Sequence, residues 1–374
     1  MKILMYIPQP GPTRAPELVA NLAKLGNEVI AISPPEKQMF ELGVKIRPIR
    51  FATLPFVGPF CLIGYGFVSA FLTMIRWRSD VIYTLGGSMA TGLLLARLFR
   101  VPLVTEVNGW RRDELKLISK HPFWMTLSKI SCWMDEQEIR HSNHLIVVIS
   151  GIKEAIAKHL KVNPDKISVI PNGANVDLFK PMSDANKNLQ LDLNYHYVGF
   201  VGILAPWQGL EYIIRSAPQI LREIINTKFL VVGDGESKNQ LVEMVRELHL
   251  ANDFIFTGAV PYTEVPKYIN AMDVCISFRK GTPASPLKLY EYMLCGKPVV
   301  ATDNSDNSFV KEINAGILVD PEKPEEVAEA IVTFLKNAAR RDQMGENGRK
   351  YVSENRSWVT VAREVDEMIG KFIH

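Results

Sequence analysis

Short apolar runs recur along the chain, and between them apolar positions return every three or four residues. In the first half the runs lie at residues 2–7, 29–33, 81–84, 102–105, 145–149 and 167–170. Residues 16–25 between the first two have helical spacing and meet a stop at Gly26. The pattern restarts in the second half with runs at 198–201, 229–232, 255–257, 274–277 and 299–301, and with a helix over 210–224. Strands that alternate with helices in this way predict a doubly wound parallel sheet, here twice over. Residues 171–181 are dense in Pro, Asn, Gly and Asp and read as the connection between the two units. From residue 324 onward the chain reads as helix throughout, and 358–373 is apolar enough to pack back on the first domain.

One stretch, residues 285–303, carries the clearest chemistry. Ser285 is a helix-capping residue, and Pro286 fits the first helical position, where its missing N–H costs nothing. Gly296 and Pro298 then end the helix. Such an N-terminus presents unpaired N–H groups and a positive dipole end, which suit a phosphate. Glu291 shares a helical face with Leu287 and Lys288, and a carboxylate there accepts two hydrogen bonds at once, as the paired hydroxyls of a ribose require. Together these features describe a nucleotide site. The alternative is a surface helix with a Lys288–Glu291 ion pair.

Composition adds bounds rather than detail. At 374 residues, 47% hydrophobic and 22% charged, the chain suits two globular domains. Cys61, Cys132, Cys275 and Cys295 form no Cys-x-x-Cys pair, which argues against zinc or a disulfide framework and fits a reducing compartment. The first strand ends too soon, at Pro8, to be a signal peptide. Residues 1–180 carry 22 Lys and Arg against 14 Asp and Glu, whereas the remainder carries 21 against 26. The basic half points to a membrane surface or a phosphate-bearing substrate, and the lack of a dense basic run argues against nucleic acid. Residues 51–75 hold no charge, but Pro55, Gly58, Pro59, Gly64 and Gly66 interrupt them. That leaves a helix over 67–77, too short to cross a bilayer, with Arg76 and Arg78 beside it for an anionic interface.

Several chemistries find no support. Gly11 follows the first strand without a Gly-x-Gly-x-x-Gly pattern, which disfavours a dinucleotide-binding domain. Neither Gly-x-Ser-x-Gly nor His-Glu-x-x-His occurs, and no two aspartates lie two positions apart.

Six segments in order carry a resemblance that covers nearly all of the chain. They are residues 147–150, 169–179, 200–209, 232–235, 256–258 and 285–300. With them the chain resembles the retaining GT-B glycosyltransferases of family 4. The resemblance implies two Rossmann-like domains facing across a cleft. Residues 1–177 would bind the acceptor, 178–356 the nucleotide sugar, and a helix in 357–374 would cross back to the first domain. The implied reaction moves a sugar from a nucleotide diphosphate sugar, UDP- or GDP-linked, to a hydroxyl with retention, using no metal and no cofactor. The acceptor is expected to be a lipid-linked or polysaccharide glycan. The setting is expected to be cytoplasmic, with peripheral contact at the inner face of the membrane through the first domain.

Carried over by position, Glu291 would grip the donor ribose, and the N–H groups of Leu287 and Lys288, behind Ser285 and Pro286, would face the diphosphate. Gly202, Gln208, Gly209, Gly233 and Arg279 complete the implied donor site. Gly11, Thr13, Asn108 and Trp110 would line the acceptor side. Lys288, Asn108 and Glu106 form the implied catalytic set, in which Glu106 and Asn108 orient substrate; alternatively Glu106 pairs with Arg111 or Arg112.

Four positions depart from the family pattern. The first of its two glutamates would fall at Pro283, its usual Arg at Ile203, its usual Lys at Gln208 and its frequent His at Asn108. Lys288, Arg279 or Lys280 would then neutralise the leaving diphosphate, since stabilisation needs charge in reach. The departures keep open a silent homologue that binds nucleotide or glycan. A nucleotide-sugar epimerase also remains, though its acid and base groups are not evident.

Overall fold

The structure is a computed structural model that describes residues 1–8, 13–35, 39, 43–49, 58–86, 88–109, 122–280, 285 and 287–373. It contains two compact units. One comprises Met1–Asn172 with Trp358–His374 and residues 283–285, and the other Gly173–Thr282 with Pro286–Ser357. The division after Asn172 lies inside the turn-rich segment, ahead of the expected boundary at 177. Past this point Ala174 N–H donates to the Arg356 carbonyl at 2.9 Å, a contact within the second unit.

In the first unit β1 (Lys2–Tyr6), helix α1 (Arg14–Lys24), β2 (Glu28–Ser33) and β3 (Ile46–Pro48) come first. Next are α2 (Gly58–Arg76), β4 (Val81–Leu85), α3 (Thr91–Phe99) and β5 (Leu103–Val107). Helix α4 (Pro122–His141) leads to β6 (His144–Val147) and β7 (Ile167–Val169). Among the described residues these strands form one sheet in the order β3-β2-β1-β4-β5-β6-β7, with every pair parallel. Strands β1, β4 and β5 are buried along nearly their whole length, which is why they read as continuous apolar runs rather than alternating ones.

The second unit repeats the scheme. It contains β8 (His196–Val201), β9 (Thr227–Val232), β10 (Phe254–Gly258) and β11 (Val274–Ser277). After these come α5 (Leu287–Leu294), β12 (Val299–Thr302) and β13 (Gly316–Val319). The order is β10-β9-β8-β11-β12-β13, again all parallel. This is the doubly wound order whose reversal, here between β8 and β11, opens a crevice at the strands' carboxyl ends.

Three details differ from the sequence reading. The expected helix over 67–77 begins at Gly58 and runs 19 residues. Pro59 falls in its first turn, where proline is tolerated. Gly66 is required rather than disruptive, because a Cβ there would lie 2.5 Å from the Tyr6 hydroxyl of β1. Among the described residues no helix is long and apolar enough to cross a membrane. The region from 324 onward is not one continuous helix: Asn337 begins a new one, α6 (Ala338–Asn355), and a second break at Arg356 and Ser357 precedes α7 (Trp358–Gly370). The short strand β3, Ile-Arg-Pro, is not an apolar run, whereas β13, Gly-Ile-Leu-Val, is one that the sequence reading passed over.

Helix α7 packs on α1 within the first unit, held by an Asn27 Nδ2 hydrogen bond of 2.7 Å to Asp366. Helix α6 packs on α5 through two glycines one turn apart. A Cβ on Gly345 would stand 2.0 Å from the Gly296 carbonyl oxygen, and one on Gly348 would stand 2.8 Å from Met293 Cγ. Gly345→Ala is therefore expected to destabilise the second unit by about 1–3 kcal/mol, as overpacking does. Gly370→Ala, with nothing within 4 Å, serves as the control, and thermal unfolding of the two variants reads the difference.

Candidate functional site

The crevice end of the second sheet is built by glycine. Gly202, just after β8, donates to the Val232 carbonyl at 2.9 Å, and Gly233, just after β9, donates to the Gly258 carbonyl at 2.9 Å. A Cβ on Gly233 would lie 1.9 Å from the Gly202 carbonyl oxygen, and its φ of +139° also suits only glycine. Leu204 and Asp234 continue the lacing at 2.9 Å. Two loops that approach this closely leave no room for side chains between them.

Helix α5 stands over these loops. Its end is a Schellman motif: Gly296, at φ +72°, donates to Met293 O at 2.8 Å and Lys297 donates to Tyr292 O at 3.1 Å. The sequence reading of Gly296 as the stop holds. The buried Tyr292 hydroxyl accepts from Val201 N–H at 2.8 Å and donates to Val201 O at 3.3 Å, pinning α5 to the end of β8. Leu289 to Leu294 are all buried, so α5 is not the surface helix of the alternative reading.

Lys288 does not turn to Glu291. Its Nζ donates to Gln208 Oε1 at 2.7 Å and lies 4.0 Å above the centre of the Phe200 ring. Burial lowers its pKa to about 7, helped by the charge of Arg279 and opposed by that of Glu291. Glu291, 7% exposed, accepts from the Tyr262 hydroxyl at 2.7 Å. Burial raises its pKa to about 7, against the Tyr262 hydrogen bond and the charge of Lys288. Near neutrality a cation and a carboxylate, one helical turn apart, are thus both poised between charged and neutral forms.

The remaining donor-side candidates fall around this pair. Gln208 closes a short 3-10 turn, Pro206–Gln208, and Gly209 follows it at φ +62°. A Cβ on Gly202 would sit 3.2 Å from Lys288 Nζ. Burial lowers the pKa of Arg279, whose N–H donates to Thr302 Oγ1 at 2.9 Å. Lys280 instead faces Glu211 at 3.8 Å, and Ile203 is largely exposed. Ser285 groups with the first unit, where its Oγ accepts from Asn172 N–H at 3.3 Å. Pro283 and Pro286 lie outside the described residues. Tyr262 and Tyr292 escaped the sequence reading, since a tyrosine hydroxyl gives no signal until its partner is known.

In the first unit Glu106, on β5, is fully buried; Arg111 and Arg112, the alternative partners, lie outside the described residues. Arg14, the first residue of α1, forks onto Glu106 with bonds of 2.8 and 3.0 Å. The same guanidinium reaches Asn172 Oδ1 at 3.1 Å and the carbonyls of Ile170 and Pro171 at 3.3 and 3.2 Å. The Tyr83 hydroxyl also donates to Glu106. Burial opposes ionisation of Glu106, but Arg14, Tyr83 and the Asn108 side chain outweigh it and hold the carboxyl below its ordinary range. These contacts occupy the Glu106 carboxylate and fix Asn108, whose own Oδ1 is buried without a hydrogen-bond partner among the described residues. Thr13 is buried at the N-terminus of α1. Gly11 and Trp110 lie outside the described residues. One signal for Arg14 existed: a cation at a helix's first residue opposes the dipole and calls for a strong partner.

Glu106→Ala leaves the Arg14 guanidinium buried and unpaired, and is expected to cost about 3–5 kcal/mol in chemical unfolding. Because the folded carboxyl titrates below the unfolded one, this contribution is present above roughly pH 4 and fades as pH falls further. The variant's stability should therefore vary less with pH on the acid side.

A cavity of about 630 Å³ lined by Lys2, Glu28, Asp80 and Phe372 opens elsewhere, at the amino ends of β1 and β2, and gathers none of these residues.

Two family models match the chain: Glycosyltransferase Family 4 over residues 13–178 and Glycosyl transferases group 1 over residues 182–351. An uncharacterised glycosyltransferase of Methanocaldococcus jannaschii is 27% identical over 242 residues, which are 63% of this chain and 60% of that relative. The UDP-Gal:alpha-D-GlcNAc-diphosphoundecaprenol alpha-1,3-galactosyltransferase of Escherichia coli is 29% identical over 68% of this chain and 65% of its own length. The crystal structure of Anabaena HepE in complex with UDP superposes with a TM-score of 0.79, covering 99% of this chain and 100% of that one. Sequence identity there is 19%, so the likeness concerns the fold.

Proposed function

Because the chain belongs to the group 1 glycosyltransferases of family 4 and has their GT-B fold, we propose that it transfers a sugar from a nucleotide diphosphate sugar to an acceptor hydroxyl with retention at the anomeric carbon. The observation that carries this reading is the pair on α5. Lys288 is held by Gln208 and Phe200 over the glycine loops, and Glu291 is held by Tyr262 one turn further on. In this reading Glu291 takes the ribose hydroxyls. Lys288, Arg279 and the first N–H groups of α5 meet the diphosphate. Gly202, Gly209 and Gly233 let backbone approach it. Positive charge then comes from the protein itself, and no metal or cofactor is called for.

As the bond to the leaving diphosphate breaks, a departing phosphate oxygen takes the acceptor proton on the same face, which gives retention without a separate strong base. In this reading Asn108 Oδ1, which has no partner among the described residues, accepts from a hydroxyl of the sugar or acceptor, and Arg14 and Glu106 keep the amide in position. Gly11, Thr13 and Trp110 belong to the acceptor side of the same reading, and residues 1–177, 178–356 and 357–374 take the roles of acceptor domain, donor domain and returning helix. UDP is the favoured nucleotide, supported by the UDP in the HepE structure and the UDP-Gal in the Escherichia coli relative's name, with GDP as the alternative. That relative's name also supports a lipid-linked glycan acceptor, hence polysaccharide biosynthesis at the inner face of the cytoplasmic membrane. The silent-homologue reading weakens here, because Lys288 Nζ lies beside the Gln208 that replaces the usual lysine.

Glu291→Ala is expected to weaken binding of UDP or GDP by roughly 2–4 kcal/mol, the worth of a lost pair of charge-assisted hydrogen bonds. Calorimetry that finds unchanged affinity for both nucleotides would remove Glu291 from the site.

The pH dependence of binding is expected to be bell-shaped. Lys288, with its pKa near about 7, loses its charge as pH rises, and Glu291, also near about 7, loses its charge as pH falls. Lys288→Met should bind UDP about tenfold or more weakly below neutrality and lack the alkaline fall. An alkaline limb that survives the substitution would assign it to another group.

A further inference from the structure

The outer surface of the first unit is unusual across α2, α3 and α4. These helices lie side by side, α2 on α3 through a Phe71–Phe99 ring contact of 5.6 Å and α3 on α4. Their inner sides, through Ala70, Met74, Leu93 and Ala96, fill the core against β1, β4 and β5. Their outer sides are apolar as well. Leu72 and Ile75 on α2, Leu94 and Leu98 on α3, and Ile130 and Trp133 on α4 are 42% to 60% exposed. Single exposed apolar residues are ordinary, but three adjacent helices that each present a pair form a patch, and such patches mark interaction surfaces.

The charges on these helices point to the occupant. Every exposed charged residue they carry is a cation: Arg76, Arg97, Lys129 and Arg140. Beyond the ends of α2 and α3, Arg78 and Arg100 are exposed cations, and the exposed Asp80 turns to the Lys2 N–H of β1 at 2.7 Å. The acidic residues of α4 are all buried. Asp135 accepts from Met89 N–H at 2.8 Å, and Glu138 accepts from Thr84 Oγ1 at 2.8 Å and Leu93 N–H at 3.2 Å. Carboxylates turned inward and cations turned outward around an apolar field match an anionic lipid surface, with aliphatic side chains in the acyl boundary, Trp133 at its level and guanidinium groups among the headgroups. A second copy of the same face would instead bring like charges together, which is unfavourable.

We infer that the outer face of α2, α3 and α4 docks the protein on an anionic bilayer. This rests on the reading that the acceptor is lipid-linked, and goes further by naming the surface and the lipid charge it requires. Docking through the first unit would put the acceptor-side residues on the membrane-bound half of the chain.

The test is sedimentation of the full chain with vesicles of phosphatidylglycerol and phosphatidylcholine, or of phosphatidylcholine alone. The wild type is expected to bind the anionic vesicles, to bind neutral ones weakly, and to be released in part by salt. The triple variant Ile75→Glu, Leu98→Glu, Trp133→Glu is expected to bind anionic vesicles about tenfold or more weakly. Its thermal stabilisation by UDP should match the wild type, since that readout reports the second unit. Absence of wild-type binding, or binding unaltered by the three substitutions, overturns the inference. It is overturned equally if the wild type is a dimer in solution that the substitutions convert to a monomer, because the face then seats a second copy. Loss of the UDP effect in the wild type would count against the glycosyl-transfer reading instead, and would leave the vesicle result to stand on its own.

Discussion

At the crevice end of the second sheet, a peptide carbonyl occupies the space that any side chain at residue 233 would need. The rest of the proposed donor site is arranged around that approach. It brings the loop after β9 against the loop after β8, and their backbone groups satisfy one another instead of turning to solvent. The floor so formed is thin and rigid. The buried Tyr292 hydroxyl then ties α5 to the backbone at the end of β8, and so sets the height of Lys288 and Glu291 above the floor.

Burial is used in two opposite ways. Arg14 and Glu106 are sealed in one unit with complementary forks and further hydrogen bonds, and both remain charged. That pair is costly to break and not adjustable. In the other unit the half-buried Lys288 and the buried Glu291 have neutral partners, a glutamine and a tyrosine, and each is left near the midpoint of its titration. In the proposed reading Lys288, held there, gains its charge when an anion supplies the counter-charge. The loop positions 203 and 208 carry no cation, and the cation beside Gln208 is Lys288 of the helix.

Much of this was legible in the sequence. The parallel strands are buried on both faces and so declare themselves as unbroken apolar runs. The Schellman glycine at 296 and the carboxylate at 291 follow from residue type and spacing alone. What could not be read depends on partners distant in sequence. Arg14 and Glu106 are 92 residues apart, and nothing near Glu106 names its partner. Tyr262 meets Glu291 only after two strands and a helix have been arranged. Gly66 looked like a helix breaker, since its neighbour across the sheet interface, Tyr6, is visible only in three dimensions. Local rules thus placed the elements, whereas side-chain pairing across the sheet needed coordinates.

The first unit is discontinuous in sequence, since α7 belongs to it while residues 173–282 and 286–357 form the other unit. Order of synthesis and order of completion therefore differ. As the chain leaves the ribosome, α1 and Asn27 emerge well before Asp366 and the apolar side of α7 that cover them, which follow the second unit. The second unit can close while the first still has an open flank on α1. Until residues 358–370 appear, that flank is a nascent-chain surface suited to chaperone capture, and maturation of the first unit is gated by translation of the second.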